Sequence, residues 1–176
     1  EQGIINYEWI SLGIIIGGVI GVVVSRLVHM TEIPEMVAIF NGFGGIASLM
    51  VAWAALYPEL TDFNIRNGHL VGSSDTMLMA IIVLSILIGG ITFSGSLVAY
   101  GKLSEKISGN PYLIPGQRII SSCIVFTLLF VSYRFIFGYA TNSNEFIAVI
   151  VLALMLGIMM VIPIGGGDMP VVISLL

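Results

Sequence analysis

Charged residues are scarce in this chain, at 9% of the sequence against 57% hydrophobic residues. Soluble globular domains carry about 25% charged residues, so this composition excludes an ordinary water-soluble domain. The 6 basic residues form no stripe and are not interleaved with aromatic side chains. That pattern argues against nucleic acid as a partner.

Cysteine, histidine and catalytic motifs are scarce or missing as well. The single Cys123 lies inside an apolar run, and one cysteine excludes an internal disulfide. His29 and His69 fall in polar segments that we place on opposite sides of a membrane, so they predict neither a metal site nor an intramembrane proton carrier. There is no HExxH, CxxC or Walker pattern, and no strand precedes the triple glycine Gly165–Gly167. The residues therefore predict no catalytic, cofactor-binding or metal-binding group.

Long apolar runs are what the chain does have. Each is about 20 residues, the length that a helix needs to cross a hydrocarbon core of about 30 Å. Because lipid offers no partner to backbone groups, such runs must be helical. We predict an all-α fold, a polytopic bundle of five full transmembrane helices plus the start of a sixth near Pro170. The five runs are Trp9–Val28, Pro34–Leu56, Thr76–Ala99, Ile119–Phe137 and Phe146–Ile164.

The two ends of the chain carry separate expectations. No charged segment followed by a short apolar core opens the sequence, so we expect no signal peptide. The sixth run reaches Leu176 after about seven residues, roughly 10 Å of helix and a third of a bilayer. We therefore expect residues 1–176 to be one transmembrane domain of a longer polypeptide.

The polar segments predict an orientation. Arg66 lies on one side of the membrane, with Arg134 at a helix end close to the same side, where we expect it to reach the interface. The other side has the excess of basic residues and should be cytoplasmic. This places the N-terminus outside and the Gly165–Asp168 loop inside. The basic residues of the inner side are Arg26, Lys102, Lys106 and Arg118.

The second apolar run has a face of small and polar residues. In lipid, helices associate through small residues that permit close approach and through polar side chains that bond across the contact. The opposite stripe is bulky and suits lipid: Met36, Ile39, Phe43, Ile46 and Met50. The small and polar stripe repeats every three or four residues: Pro34, Val37, Asn41, Gly45, Ser48, Ala52 and Ala55.

The third run has a similar face, with Gly90, Ser94 and Gly95 beside it. Two such faces could meet and enclose a narrow polar seam. The face of the third run consists of Ser85, Gly89, Thr92, Ser96 and Tyr100.

Two interpretations of these polar residues stay open. Asn41 either joins two helices or lines a proton or ion path, since a buried amide needs only one partner. The hydroxyls of Thr92, Ser94 and Ser96 either line the same path or bond carbonyls of their own helix. Ser48 shares the stripe of Asn41. Our candidate channel residues are Asn41, Ser48, Thr92 and Ser96.

Two acidic segments precede prolines on the inner side. Thr31 and Asp168 could cap the helices that follow, and acids there also complement the helix dipole. Alternatively, Asp168 makes a contact or a hinge for a cytoplasmic domain, because the three consecutive glycines before it weaken the local backbone and favour movement.

Three segments resemble the second-subunit membrane domain of proton-translocating NAD(P) transhydrogenases. They are MTEIPEMVAIFNGFGG from Met30, ITFSGSLVAYGKLSEKISGNP from Ile91 and IGGGDMPVVISLL from Ile164. The segments keep their order, and the resemblance covers nearly the whole chain. It is weakest at residues 1–8, 59–75 and 138–145.

This resemblance implies an enzyme that couples hydride transfer from NADH to NADP+ with proton translocation. An NADP-binding domain would follow on the same polypeptide, and an NAD-binding domain would belong to the alpha subunit. NADP(H) and NAD(H) would thus bind elsewhere, and this segment would hold no hydride-transfer site. Membrane helices of both subunits would line the proton channel, and the assembled unit would form a homodimer in the lipid bilayer.

One position departs from the family pattern. Many members have a histidine where this chain has Asn41, and an amide cannot titrate as an imidazole does. The resemblance implies that a partner-subunit helix supplies the histidine, an arrangement that goes with separate subunits and a bacterial inner membrane. It also implies that Asp168 relays between the channel and the NADP domain, with Glu32 and Glu35 assigned to the same coupling.

Two other functions remain. A fragment of an ion-coupled secondary transporter would need a substrate pocket at mid-membrane, and one amide with several hydroxyls offers little for that. A passive membrane scaffold would tolerate Asn41→Leu as long as packing survived.

Overall fold

The computed structural model describes residues 7–65, 76–113, 115–137 and 144–176, with the backbone alone for residues 57–65. Throughout these ranges the regular structure is helical, with no strand. Short 3-10 turns at Met30–Glu32 and Gly166–Asp168 precede the second and sixth helices. The helices are α1 (Tyr7–Leu27), α2 (Ile33–Ile65), α3 (Thr76–Leu103), α4 (Gln117–Ile136), α5 (Asn144–Val161) and α6 (Met169–Leu175).

The predicted membrane architecture is confirmed. Five described helices, α1 to α5, contain stretches long and apolar enough to cross a membrane, and α6 is the short start of a sixth. The apolar part of α2 ends at Leu56 as predicted, but the helix continues to Ile65, into the polar stretch between the second and third predicted runs. A fall in hydropathy does not by itself interrupt backbone hydrogen bonding, and the helix continues even through Pro58, which lacks an amide hydrogen. The predicted outer segments with Arg66 and His69, and residues 138–143, lie outside the described residues.

The chain divides into two units, residues 1–33 and 34–176, and each is described by itself. In the first unit, α1 has no buried residue, and large side chains such as Trp9 and Ile14 are about 70% exposed. For a helix of this length and composition, such an apolar surface is suited to lipid.

In the second unit, α3 is the central helix and packs against α2, α4, α5 and α6. Its approach to α5 depends on glycine. A Cβ atom on Gly90 would lie 2.9 Å from the Cβ of Ala153, and one on Gly157 would lie 2.5 Å from the carbonyl oxygen of Ile91. Close packing of this kind holds helices together in lipid, where no hydrophobic force acts between them.

Two apolar clusters lie towards opposite ends of α3. One joins the later part of α2, the start of α3, the end of α4 and the start of α5: Ala52, Leu56, Met79, Ile82, Val83, Ile86, Phe135, Phe146 and Val149. The other joins the start of α2 with the ends of α3 and α5 and with α6: Ala38, Ala99, Val161, Met169 and Ile173. The polar residues of α2 and α3 lie between the two clusters.

An ion pair joins the end of α4 to the start of α5. The Nη2 atom of Arg134 lies 2.8 Å from Oε1 of Glu145, and the two side chains are 36% and 19% exposed. We expected Arg134 simply to reach the membrane interface. It is also bound to a carboxylate of the next helix, because the α4–α5 hairpin brings the two residues together, and its place at the interface stays a prediction.

Candidate functional site

The α2–α3 crossing is built on two glycines. A Cβ atom on Gly45 would lie 2.6 Å from the backbone nitrogen of Phe93 and 2.8 Å from the carbonyl oxygen of Gly89. A Cβ atom on Gly89 would lie 2.6 Å from the carbonyl oxygen of Gly45. Side-chain carbons do not approach backbone so closely, so both positions require glycine. As predicted, the small-residue faces of the two helices meet, with their backbones in contact.

Among the described residues, the only hydrogen bond between two polar side chains at this crossing joins Asn41 to Ser96. The Asn41 amide Nδ2 donates a hydrogen bond of 2.9 Å to the Ser96 hydroxyl oxygen. Ser96 is fully buried, whereas Asn41 is half-buried. Within the described residues no donor reaches the amide oxygen of Asn41. This oxygen is therefore available to water or to a group outside this chain.

A second hydrogen bond lies on the other side of the glycine crossing. The Ser48 hydroxyl donates to the carbonyl oxygen of Ser85 at 3.3 Å. Interhelical hydrogen bonds in membranes contribute about 0.6 kcal/mol each on average. The two bonds therefore orient the crossing more than they stabilise it, and close packing at the glycines supplies most of the attraction.

Thr92 and Ser94 lie apart from this contact. The Thr92 hydroxyl donates to the carbonyl oxygen of Leu176 at 2.6 Å, so it faces α6. The Ser94 hydroxyl bonds Gly90 of its own helix at 2.9 Å, as the alternative interpretation of these hydroxyls predicts. The structure thus brings Asn41 and Ser96 together, places Ser48 one glycine crossing away, and directs Thr92 to another helix.

Lys102 is a residue that sequence reasoning misplaced. We counted it among the loop cations, but it is the penultimate residue of α3 and is only 5% exposed. Its Nζ donates to the carbonyl oxygens of Ile162 at 2.5 Å and Ile164 at 2.7 Å, with that of Val161 at 3.5 Å. The last carbonyls of a helix lack helical partners and carry negative partial charge, which compensates the buried ammonium.

A signal for this burial exists in the sequence. Ser96, Ala99 and Lys102 follow one another at intervals of three, so Lys102 continues the buried stripe of α3. A positive charge at the end of such a stripe is easily read as the start of a loop.

Two backbone hydrogen bonds join the segment after α3 to the segment after α5. The amide of Gly166 donates to the carbonyl oxygen of Gly109 at 2.8 Å, and that of Tyr112 to Ile162 at 3.4 Å. Lys102 and the glycines also line a cavity of about 480 Å³ at this end of the bundle. The triple-glycine loop is therefore packed against the end of α3 and the segment that follows it.

The acidic candidates differ in their surroundings. Asp168 occupies the cap position of α6 and is exposed, but its side chain makes no capping hydrogen bond. In the first unit, Glu32 rather than Thr31 caps the start of the 3-10 turn Met30–Glu32, because its carboxylate accepts a hydrogen bond from the His29 amide at 3.3 Å. Capping thus does not account for the acid at Asp168.

Glu35 lies in the second unit and is half-buried. The negative charge of Glu35 acts on the ammonium group of Lys106. The Nζ atom of Lys106 donates to the Tyr100 hydroxyl at 2.8 Å and lies 4.7 Å from the centre of that ring. The hydroxyl of Tyr100 first, and the charge of Glu35 more weakly, raise the pKa of Lys106 above its usual 10.5.

No group of three or more His, Cys, Asp or Glu side chains within the described ranges could hold a metal ion. The absence of a cofactor stays a prediction. Cys123 is exposed on the outer surface of α4.

Fold and site together define a class: a helical domain of several membrane-spanning helices with a polar contact in its interior. A sequence model described as "NAD(P) transhydrogenase beta subunit" matches residues 1–176. The chain is 39% identical over 172 residues to the NAD(P) transhydrogenase subunit beta of Rhodospirillum rubrum, covering 97% of this chain and 35% of that protein. The same figures apply to the subunit from a named strain of that species.

The chain belongs to the NAD(P) transhydrogenase beta subunit family. The family resemblance drawn from the three sequence segments is thereby confirmed. The chain spans 35% of the length of the curated relatives that it matches.

Proposed function

We propose that residues 1–176 form the membrane proton-translocating domain of a transhydrogenase that couples hydride transfer from NADH to NADP+ with proton movement. The observation that carries this proposal is the hydrogen bond between Asn41 and Ser96 at the α2–α3 crossing. This bond supports the proposal because it holds a half-buried amide at a tightly packed helix crossing. NADP(H) and NAD(H) would bind on other domains of the complex, and this domain would carry no hydride-transfer site.

The chemistry of Asn41 requires a partner. An amide neither gains nor loses a proton in a useful pH range, whereas an imidazole titrates near pH 6.5. A histidine on a membrane helix of the alpha subunit would carry the proton. The free amide oxygen of Asn41 would accept a hydrogen bond from that imidazole or from a water beside it. Ser96 orients the amide from the other side, at 2.9 Å.

The other end of the domain would couple to nucleotide binding. Asp168 is exposed, follows three glycines and makes no capping hydrogen bond with its side chain. We propose that it contacts the NADP-binding domain that follows on the same polypeptide. Glu32 and Glu35 are assigned to this coupling as well, while the NAD-binding domain belongs to the alpha subunit.

The assembly would lie in a bacterial inner membrane as a homodimer of the complete unit. The excess of basic residues at one end supports an outside N-terminus and a cytoplasmic Gly165–Asp168 loop. A cytoplasmic position of that loop also fits soluble nucleotide-binding domains on the same side.

Reconstitution of the complete complex in vesicles tests the proposal. Internal pH is followed with a trapped dye while NADH and NADP+ are supplied. The wild-type complex should change the internal pH during hydride transfer, and Asn41→Ala should lower the proton-coupled rate by roughly fivefold or more, the usual lower range of coupling between sites. Ser94→Ala is the matched control, because that hydroxyl bonds only carbonyls of its own helix.

Unchanged coupling in Asn41→Ala would refute a channel role for Asn41. Full coupling in Asn41→Leu would favour a passive membrane scaffold instead. An absence of any pH change in wild-type vesicles would refute proton translocation altogether.

A further inference from the structure

Lys102 has surroundings that solubility alone does not explain. A lysine at a helix end normally reaches water, as its long side chain allows. Lys102 is instead 5% exposed, and burying an ammonium is costly unless it is well paired. Its three carbonyl partners provide that pairing at 2.5, 2.7 and 3.5 Å. The ammonium group of Lys102 therefore connects the end of α3 to the end of α5.

The connected parts are far apart in sequence. The partner carbonyls belong to Val161, Ile162 and Ile164, up to 62 residues from Lys102, at the end of α5 and just after it. This segment leads directly into the loop Gly165–Asp168. Lys102 therefore attaches the beginning of that loop to α3.

The same helix carries the buried partner of Asn41. Ser96 precedes Lys102 by less than two turns, about 9 Å along the axis at 1.5 Å per residue. A helix is stiff over such a length, so a shift of α3 at Ser96 is transmitted to Lys102. The loop that Lys102 holds would then move with α3.

We propose that Lys102 is a positioning residue that couples the Asn41–Ser96 contact to the Gly165–Asp168 loop by keeping the beginning of that loop attached to α3. This inference rests on the proposed function and adds a transmitting residue to it. Lys102 touches neither proton carrier nor nucleotide, and its role requires no change in its protonation. A purely structural lysine would only satisfy carbonyls at the end of α5, and its loss would affect stability without affecting coupling.

The first test compares Lys102→Met with Arg118→Met in the complete complex, reconstituted in vesicles. Both variants lose one basic residue at the same end of the bundle, but Arg118 is exposed. The readout is the ratio of hydride-transfer rates with and without an uncoupler. Lys102→Met should reduce the response to the uncoupler by roughly fivefold or more, and Arg118→Met should leave it unchanged.

The second test restores the attachment without the charge. Gly109→Cys and Gly166→Cys are added to Lys102→Met in a Cys123→Ser background. A Cβ atom at residue 166 would lie 3.4 Å from the Cα of Gly109, within the range that a disulfide spans. The oxidised protein should regain coupling and lose it again when a dithiol reduces the bond in the same vesicles.

Three results would overturn the inference. The first is normal coupling in Lys102→Met. The second is an oxidised disulfide variant that assembles but stays uncoupled, which would indicate that the charge itself matters. The third is failure of both Lys102→Met and its disulfide-bonded derivative to assemble, which would restrict the role of Lys102 to folding. Wild-type vesicles without any pH change would refute the proposed function itself, so the two failures are distinguishable.

Discussion

The crossing of α2 and α3 leaves no room for a methyl group at Gly45. In Gly45→Ala, the added methyl group would lie 2.6 Å from the Phe93 nitrogen and 2.8 Å from the Gly89 carbonyl oxygen. Both atoms are backbone, so no side chain can rotate away. Relief requires the two helices to separate.

The separation can be calculated from contact distances. Non-bonded heavy atoms prefer about 3.5–4.0 Å, so the helices must part by about 1 Å at Gly45. Asn41 lies one turn away, and its bond to Ser96 is 2.9 Å. A shift of about 1 Å would lengthen this bond to about 3.9 Å, which is no longer a hydrogen bond.

The energetic cost follows from two contributions. Overpacking costs about 1–3 kcal/mol, and loss of an interhelical hydrogen bond costs about 0.6 kcal/mol. Alanine is a better helix former than glycine by about 1 kcal/mol, which offsets part of the loss. Gly44→Ala receives the same propensity gain, but no atom lies within 4 Å of its added methyl group. The two variants should therefore differ by about 2–4 kcal/mol in free energy of unfolding.

The assay combines unfolding in detergent with proton-coupled activity in vesicles. We expect Gly45→Ala to lose both stability and coupling, and Gly44→Ala to retain both. If the two variants unfold alike and remain equally coupled, the contact between the backbones at Gly45 and Gly89 does not govern the seam. The hydrogen bond between Asn41 and Ser96 would then not depend on close approach of the two helices.

Asp168→Asn should alter NADP(H) release, measured by stopped flow, more than it alters assembly; an equal loss of both would indicate a structural role. Glu145→Gln should lower stability by about 1 kcal/mol in thermal unfolding, between the values for surface and buried pairs, because the half-buried Arg134 loses this carboxylate. Because Tyr100 raises the pKa of Lys106 above 10.5, stability from this contact is complete below pH 10.5 and is lost as pH rises through the higher folded value. Lys106→Met should thus change stability equally at neutral and mildly alkaline pH, and a change that differs between the two would contradict this assignment.

The helices themselves are predictable from the sequence for a simple reason. The thickness of the bilayer and the need to satisfy every backbone group constrain the length and the structure of each apolar run. The small-residue faces follow from helical periodicity, so Asn41, Gly45 and Gly89 could be placed at a helix contact in advance. Family membership can be recognised from short contiguous motifs, so three segments of the sequence were enough to indicate the family.

Pairing between helices is different, because it depends on which atoms arrive from distant parts of the chain. Thr92 and Ser94 have similar hydroxyls two residues apart, yet one bonds α6 and the other its own helix. Arg134 and Glu145 meet only because a hairpin brings two helix ends together.

Lys102 shows the limit of sequence reasoning most clearly. Its charge predicts a loop facing water, and only the carbonyls at the end of α5, about 60 residues away, make its burial tolerable. Hydropathy and periodicity, which are local, therefore determined the membrane helices and their faces. The compensation of a buried charge is a property of the assembled bundle, so only the tertiary structure could decide where Lys102 lies.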